Sequence, residues 1–261
     1  MLGAMRIREL KPSGRLASFV RAFTVVEADE ETTRLLVPDV GITLGFRYSG
    51  QAAQVEGDTA VRIPDISFAG LRSLAWRVRT SAGGGMIAVA FREGAASRFF
   101  REPLHELFGA TLPLEDLVGR EGVQRIAERI ASAEDDATRV SLIEEFLLAR
   151  EQEREPDALV LAALRAIREA RGSIRVGALA AQLGISQDRL EKRFRRVVGS
   201  SPRQFAKLVR LRSAIAAYQP GQSLARLAAD VGYSDQPHFI REFRSVLGVP
   251  PQQFFTAKDR C

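Results

Sequence analysis

The stretch LAAQLG (residues 179–184) recurs 48 residues later as LAADVG (residues 227–232). In each copy the apolar residues have the spacing of one helix face, and the glycine that follows is a residue that commonly ends helices. A second match lies downstream, because FRRVVGSSPRQF (194–205) and FRSVLGVPPQQF (243–254) are identical at seven of twelve positions. A duplicated short helix, glycine turn and basic second helix predicts two helix-turn-helix units.

The second helix of each unit has an apolar stripe and a polar face. The stripe contains Phe194 in the first unit and Phe243 in the second, and it is expected to pack on the preceding helix. In a helix-turn-helix, the exposed N-terminal face of the second helix enters the major groove of DNA. Polar residues on these faces are the candidate base contacts: Gln187, Asp188, Glu191 and Lys192 in the first unit, and Gln236, His238 and Arg241 in the second.

Alternatives stay open for several of these residues. Glu191 and Lys192 are either base contacts or ordinary surface charges, and His238 is either a phosphate or groove-edge contact or a titrating switch. Further polar residues on the helices are predicted to contact the DNA backbone, where they supply affinity rather than sequence choice. These phosphate candidates are Arg189, Arg195, Gln204, Lys207, Arg244 and Gln253.

The charge distribution divides the chain into two parts. Residues 157–261 carry 18 Lys and Arg against 8 Asp and Glu, a balance of +10, whereas residues 1–156 carry 20 against 24, a balance of −4. Clustered basic residues favour a polyanionic partner because they release counterions from phosphates. The polar run 150–156 ends in proline and lies at this change of sign. We therefore expect one domain at residues 1–155 and a second at 156–261.

The first domain is expected to be α+β. Short strand-like segments separated by Pro, Gly and Asp predict a small β-barrel or sandwich. These strands are predicted at 33–36, 42–46, 59–63, 66–68, 76–78 and 86–91, and the helices that follow at 95–101, 104–108, 114–117, 123–131 and 137–150. The second domain is expected to be all-α, with helices at 157–170, within the two units (176–198 and 224–247), at 202–218 between them, and after Pro251.

The sequence resembles the AraC/XylS family of bacterial transcription regulators. The resemblance covers residues 157–256 and is strongest in GYSDQPHF (232–239) and in the spaced residues Phe243, Gly248, Pro251 and Phe254. It implies seven helices in two units, which read two adjacent major-groove segments on one face of DNA. The implied base-reading positions are Asp188, Glu191, Lys192, Gln236, Pro237, Ile240 and Arg241. Pro237 and Ile240 make no bidentate bonds, so the second unit is expected to read shape and thymine methyl groups.

The N-terminal part resembles the variable sensor domains of this family, through the turn LVPD (36–39) and the stretch VAFREGAA (89–96). A sensor needs a concave pocket. Candidate lining residues are Phe46, Tyr48, Phe68, Trp76 and Phe91, with plain core as the alternative for each. Arg77 and Arg79 either meet an acidic ligand or form the outward half of a solvated strand.

We expect no enzyme activity, no cofactor and no metal site. The only cysteine is Cys261 and the only histidines are His105 and His238, which excludes a zinc site and the reactive cysteines of DNA-repair alkyltransferases that carry a similar module. No apolar run is long enough for a membrane span and no export signal is recognisable, so a soluble cytoplasmic protein is expected.

The sequence therefore predicts a regulator that binds promoter or operator DNA and is controlled by a small-molecule effector or by assembly. Two alternatives remain: a constitutive DNA-binding protein whose N-terminal half only dimerises, and an enzyme domain fused to a DNA-binding module. RNA polymerase is an expected partner by family analogy. The helix at 137–150 either forms the interface of a homodimer or packs on its own domain.

Overall fold

The computed structural model describes residues 5–256. Its first half contains ten β-strands in two antiparallel sheets. The strands are β1 (Met5–Leu10), β2 (Val20–Ala28), β3 (Thr32–Leu36), β4 (Thr43–Ser49), β5 (Ala52–Glu56), β6 (Thr59–Arg62), β7 (Ile66–Ala69), β8 (Trp76–Thr80), β9 (Gly84–Phe91) and β10 (Thr111–Pro113).

The strand order is β1-β2-β9-β4-β7-β10 in the larger sheet and β3-β8-β5-β6 in the smaller one. The β-rich domain is confirmed as two open sheets, and the sheets do not close into the barrel that was one of the predicted forms. All six predicted strand segments are present, as β3, β4, β6, β7, β8 and β9. The strands β1, β2, β5 and β10 were not predicted.

Helices cover one face of the larger sheet. The longest are α2 (Arg120–Ser132) and α3 (Asp136–Leu148), which follow the single turn α1 (Glu115–Val118). Their apolar residues, including Ile126 and Ile143, join the sheet residues in one core. The helices predicted at 95–101 and 104–108 are instead short 3₁₀ segments, Ala95–Arg98 and Leu104–Leu107. The loop between them contains Pro103, which lacks the backbone N–H that a continuing helix needs.

Seven helices follow within the described residues, and they confirm the predicted all-α architecture. They are α4 (Ala158–Glu169), α5 (Val176–Gln182), α6 (Gln187–Val198), α7 (Pro202–Ala217), α8 (Leu224–Asp230), α9 (Gln236–Leu247) and α10 (Pro251–Thr256). Residues 151–157 between α3 and α4 form no helix or strand. We propose the domain boundary between residues 155 and 156, within this stretch.

The two halves pack directly on each other. Val40 and Leu71 of the β-rich half lie in the same apolar cluster as the buried residues of α4 to α10. The backbone N–H of Ala75 donates to the carbonyl oxygen of Val246 in α9 at 2.8 Å. Across residues 5–256, no helix has the length and apolar character needed to cross a membrane.

Candidate nucleic-acid interface

The first helix-turn-helix consists of α5 and α6. Gly184 lies in the turn with a φ of +67°, a conformation that favours glycine. The Ser186 hydroxyl then accepts from the backbone N–H of Arg189 and caps the start of α6. Leu190 and Phe194 are fully buried against the rest of the domain. The cap and the packed stripe fix the direction in which the polar face of α6 points.

The second unit repeats this construction with α8 and α9. Gly232 has a φ of +80°, and the Asp235 carboxylate accepts from the backbone N–H of His238 at 2.6 Å. Pro237 lies in the first turn of α9, where its missing N–H removes no helical hydrogen bond. Phe239 and Phe243 are fully buried, as the repeat predicts.

The long helix α7 connects the units and packs against both. It starts with a capping box in which the Ser201 hydroxyl and the Gln204 side chain each bond to the other residue's backbone. Phe205 and Leu211 of α7 are fully buried in the cluster that also contains the buried residues of α6 and α9. The two recognition helices are therefore held on one rigid body.

The polar face of α6 carries opposite charges that pair within the helix. Lys192 lies 3.0 Å from the carboxylate of Asp188, and both side chains are about three-quarters exposed. Gln187 donates to the carboxylate of Glu191 at 3.0 Å, and Glu191 also lies 3.9 Å from Arg195. Each acid on this face therefore has a basic partner one turn away, which offsets its negative charge.

The candidate residues on α9 divide into two groups. Gln236, Pro237 and Arg241 are exposed, whereas Ile240 is half-buried and packs against the apolar cluster. The His238 ring lies 3.2 Å from the Ser234 hydroxyl through Nδ1 and packs edge-on to Tyr233. His238 therefore has partners within its own unit, and its side chain remains 40% exposed.

The phosphate candidates are also placed differently from one another. Arg189, Arg195, Arg244 and Gln253 are exposed. Gln204 is exposed as well, although its side chain takes part in the cap of α7. Lys207 is half-buried, and its ammonium group donates to the Ser245 hydroxyl of α9 at 3.0 Å.

A buried polar cluster that sequence reasoning missed joins α7 to α9. The guanidinium of Arg210 donates to both carboxylate oxygens of Glu242 at 3.1 and 3.2 Å. The Tyr233 hydroxyl donates to the same carboxylate at 2.7 Å, and the Arg210 guanidinium lies over the Tyr233 ring. The side chains of Arg210 and Glu242 are only 19% and 12% exposed. The cluster fixes the angle of α9. Arg210 and Glu242 are 32 residues apart in the sequence, so no local pattern predicts their pairing.

One side of α6 borders a basic cleft between the two halves of the chain, with a volume of about 1190 Å³. Asp188, Arg189 and Lys192 line it from α6. Arg193 and Arg196 of α6 line it too. Other elements contribute six arginines, Arg92, Arg98, Arg101, Arg154, Arg165 and Arg168, and four acidic residues, Glu93, Glu102, Glu155 and Asp157. Part of the candidate base-reading face is thus continuous with a basic surface of the N-terminal half.

A second cavity of about 700 Å³ lies between the inner faces of the two sheets and is bounded by α7 and α10. Of the five aromatic residues predicted to line a pocket, only Trp76 does so. Phe46, Phe68 and Phe91 are fully buried in the core under α2 and α3, because they point to the opposite face of the larger sheet. Tyr48 packs against the Arg139 guanidinium at 4.1 Å. This placement corrects the predicted lining for four residues.

Arg77 and Arg79 on β8 are both exposed, and neither lines the cavity. They form the outward half of a solvated strand, which agrees with one of the two interpretations and not with contact to an acidic ligand. Trp76 and Val78 alternate with them and point inward to the cavity.

Comparison with known proteins gives two family matches. Residues 179–257 match a family described as a helix-turn-helix domain, and residues 8–113 match one described as a domain of unknown function. No curated protein matches the sequence.

Solved structures resemble the chain at low identity. ToxT from Vibrio cholerae is 13% identical, and the match covers 89% of this chain and 96% of ToxT with a TM-score of 0.50. The C-terminal domain of AraT, a response regulator from Geobacillus stearothermophilus, is 22% identical over 37% of this chain and 83% of its own, with a TM-score of 0.35. The similarity to ToxT shows that a β-rich domain followed by this helical domain is a known arrangement.

Proposed function

We propose that the chain is a DNA-binding transcriptional regulator of the AraC/XylS family, whose α6 and α9 read two adjacent major-groove segments of one operator. The observation that carries this proposal is the pair of capped, basic second helices held on one α7-centred core. Successive major-groove segments on one face of DNA are about 34 Å apart, one helical turn. A rigid pair of units therefore selects sites with fixed spacing.

Within this proposal α6 makes polar base contacts. Lys192 donates to guanine, Asp188 orients it, and Gln187 and Glu191 complete the polar face. On α9, Gln236 and Arg241 make polar base contacts, while Ile240 and Pro237 contact thymine methyl groups or read groove shape. His238 contacts the groove edge. Arg189, Arg195, Gln204, Lys207, Arg244 and Gln253 are assigned to phosphates.

The direct test is footprinting of the full-length protein on DNA from upstream of its own and neighbouring genes, with competitor DNA at physiological salt. We expect one protected site that spans two successive major-groove segments. Weak, salt-sensitive protection with no sequence preference would contradict specific reading by both units.

Replacing Lys192 with alanine tests the base-reading assignment. We expect the binding free energy to fall by about 1–3 kcal/mol on the matched operator and specificity to relax at one base pair. The measurement is the dissociation constant on matched and single-base-substituted sites, with the exposed Lys11 replaced by alanine as the control for loss of one charge. Equal losses on matched and scrambled DNA would reassign Lys192 to a phosphate.

Replacing Lys207 with alanine tests the phosphate assignment. We expect binding to weaken by a similar factor on all sequences, and the slope of log K against log salt concentration to fall by about one. The Lys11→Ala variant is again the control. A slope equal to that of the wild-type protein would show that Lys207 serves only to hold Ser245 of α9.

We also propose that a small-molecule effector controls DNA binding through the β-rich domain. The 700 Å³ cavity supports this proposal, since it has the size of a ligand site and is lined by both sheets and by α7 and α10. An effector would raise the melting temperature and change operator affinity. A domain that only dimerises would do neither, and its signature would be a concentration-dependent oligomer. By analogy with the family, the proposal also includes contact with RNA polymerase.

A further inference from the structure

The inner cavity is mostly apolar but contains an unusual basic residue. Met86, Val78 and Phe254 contribute apolar surface, and the small residues Gly45 and Ala69 also line the cavity, on β4 and β7. The size of about 700 Å³ suits a small organic molecule with an apolar body.

Arg47 lies on β4, lines this cavity and is only 7% exposed. Its Nε and Nη1 atoms have no hydrogen-bond partner among residues 5–256, and Nη2 reaches only the sulfur of Met86 at 3.7 Å. The nearest carboxylate, Asp65, lies 3.9 Å away, is half exposed, and accepts a hydrogen bond from Arg62. Burial lowers the pKa of Arg47. A buried guanidinium with two nitrogen atoms that lack hydrogen bonds, and with only a long ion pair to Asp65, is costly and points to a missing anion.

A second arginine lies toward the other end of the cavity. Arg72 also has an unpartnered Nε within the described residues, and its guanidinium lies 4.3 Å from the centre of the Trp76 ring. It donates to Thr111, which pairs with Ala69 and so lies at the level of Thr43 on β4. Arg47 is four residues further along the same strand, which corresponds to about 13 Å. The cavity is therefore elongated, with a basic group near each end.

The acidic residues of the cavity do not neutralise these arginines. Asp39 is engaged by Arg21 and also lies 3.6 Å from Arg212. Asp65 lies closer to Arg62, at 3.1 Å, than to Arg47, at 3.9 Å, and is half exposed. Positive charge is thus in excess where the lining is most buried, and a carboxylate is the group that best satisfies a guanidinium.

We propose that this cavity binds an elongated organic carboxylate, with the acidic group at Arg47 and the apolar body extending toward Trp76 and Arg72. This inference rests on the proposed effector control and names the chemical class of the effector. The ligand fills the space between the sheets and touches α7 and α10, so its binding is communicated to the helices that hold α6 and α9.

Trp76 provides the readout, because it is the only tryptophan in the chain. Full-length protein is titrated with octanoate, octanedioate and the neutral control octanol, while Trp76 fluorescence and the melting temperature are recorded. We expect a saturable fluorescence change and a higher melting temperature with at least one of the acids, and neither effect with octanol. An equal response to octanol, or no response to either acid, would overturn the proposal.

Arg47→Met removes the acid-binding group, and Arg77→Met is the matched control, an exposed arginine on β8 that does not line the cavity. Carboxylate affinity should fall at least tenfold in Arg47→Met and stay within twofold in Arg77→Met. Without ligand, Arg47→Met should melt at least as high as the wild-type protein, because it loses a buried charge that has only a long ion pair with Asp65. Wild-type carboxylate affinity in Arg47→Met would overturn the assignment.

A more conservative variant covers the case in which Arg47→Met does not fold. Arg47→Lys keeps the charge, so it should bind the acid more weakly than the wild-type protein but respond to acids and not to octanol. Operator binding is measured on the same samples. If specific operator binding is intact and no acid binds, this inference alone fails. If acids bind but no operator is recognised, the proposed reading of DNA fails instead.

Discussion

Replacement of Glu242 by alanine is expected to lower the free energy of unfolding by about 3–5 kcal/mol. The carboxylate of Glu242 receives hydrogen bonds from Arg210 and from the hydroxyl of Tyr233, and it is only 12% exposed. Without it, the mostly buried guanidinium of Arg210 loses the carboxylate with which it pairs on α9. A buried charge left without compensation costs more than the pair contributed when intact.

The matched control is Glu191→Ala on the other recognition helix. Glu191 lies 3.9 Å from Arg195, whose side chain is half exposed, so this change should cost less than about 1 kcal/mol. Urea unfolding followed by far-ultraviolet circular dichroism measures both variants. Similar midpoints for the two would mean that the Arg210, Glu242 and Tyr233 cluster contributes no more than a surface ion pair.

The same variant also separates the roles of the two units in DNA binding. Arg210 belongs to α7 and Glu242 to α9, so the cluster sets the angle of the second recognition helix and leaves the cap of α6 untouched. Footprints of Glu242→Ala at a temperature where it remains folded should lose protection over the half-site read by α9 first. Loss of both halves together would indicate that the units bind only as one body.

The helical half of the fold was predictable because its signals are local. Each unit carries its own cap, glycine turn and apolar stripe within about 25 residues, and the two copies support each other. The helix predicted at 202–218 is present as Pro202–Ala217, since Pro202 and the Ser201 cap mark its start. The family match to residues 179–257 agrees with this part of the interpretation.

The β-rich half was less predictable because its signals are not local. Strand β2 lies between β1 and β9, and its run VRAFTVVEA lacks the simple alternation by which a half-buried strand is recognised. Strand β1 was missed because Arg6, Arg8 and Glu9 give this edge strand a polar sequence. Pairing with distant partners, rather than local propensity, decides both strands.

The predicted lining of the pocket was wrong for a related reason. Alternation along a strand shows that two faces exist but not which face meets the helices and which meets the second sheet. Phe46 therefore lies in the core below α2 and α3, and its neighbour Arg47 points into the cavity. The polar candidates for base contacts on α6 and α9 could be proposed from helical periodicity, and Pro237 and Ile240 were added by the family resemblance. The burial of Arg47 in the cavity could not be predicted in either way.

Replacement of Asp39 by alanine is expected to cost about 2–4 kcal/mol, because Asp39 links the two halves of the chain. Its carboxylate is bonded by Arg21 of β2, accepts from the backbone N–H of Val40 at 2.7 Å, and lies 3.6 Å from Arg212 of α7. Breaking a buried pair costs about 3–5 kcal/mol, and partial exposure of both arginines reduces this value. The exposed pair of Asp29 and Arg6 provides the control variant, Asp29→Ala, with an expected cost below about 1 kcal/mol.

The effect of Asp39 should depend on pH in a defined direction. Burial alone would raise the pKa of Asp39, but the hydrogen bond from Arg21 and the charge of Arg212 outweigh it and lower the pKa below 3.8. A carboxylate with a lowered folded-state pKa stabilises the fold fully above its unfolded value and loses that contribution as the pH falls through the folded value. The difference in unfolding free energy between wild type and Asp39→Ala should thus be constant near neutral pH and shrink below about pH 4. A difference that stays unchanged down to pH 2 would mean that the charge of Asp39 does not hold α7 against the β-rich half.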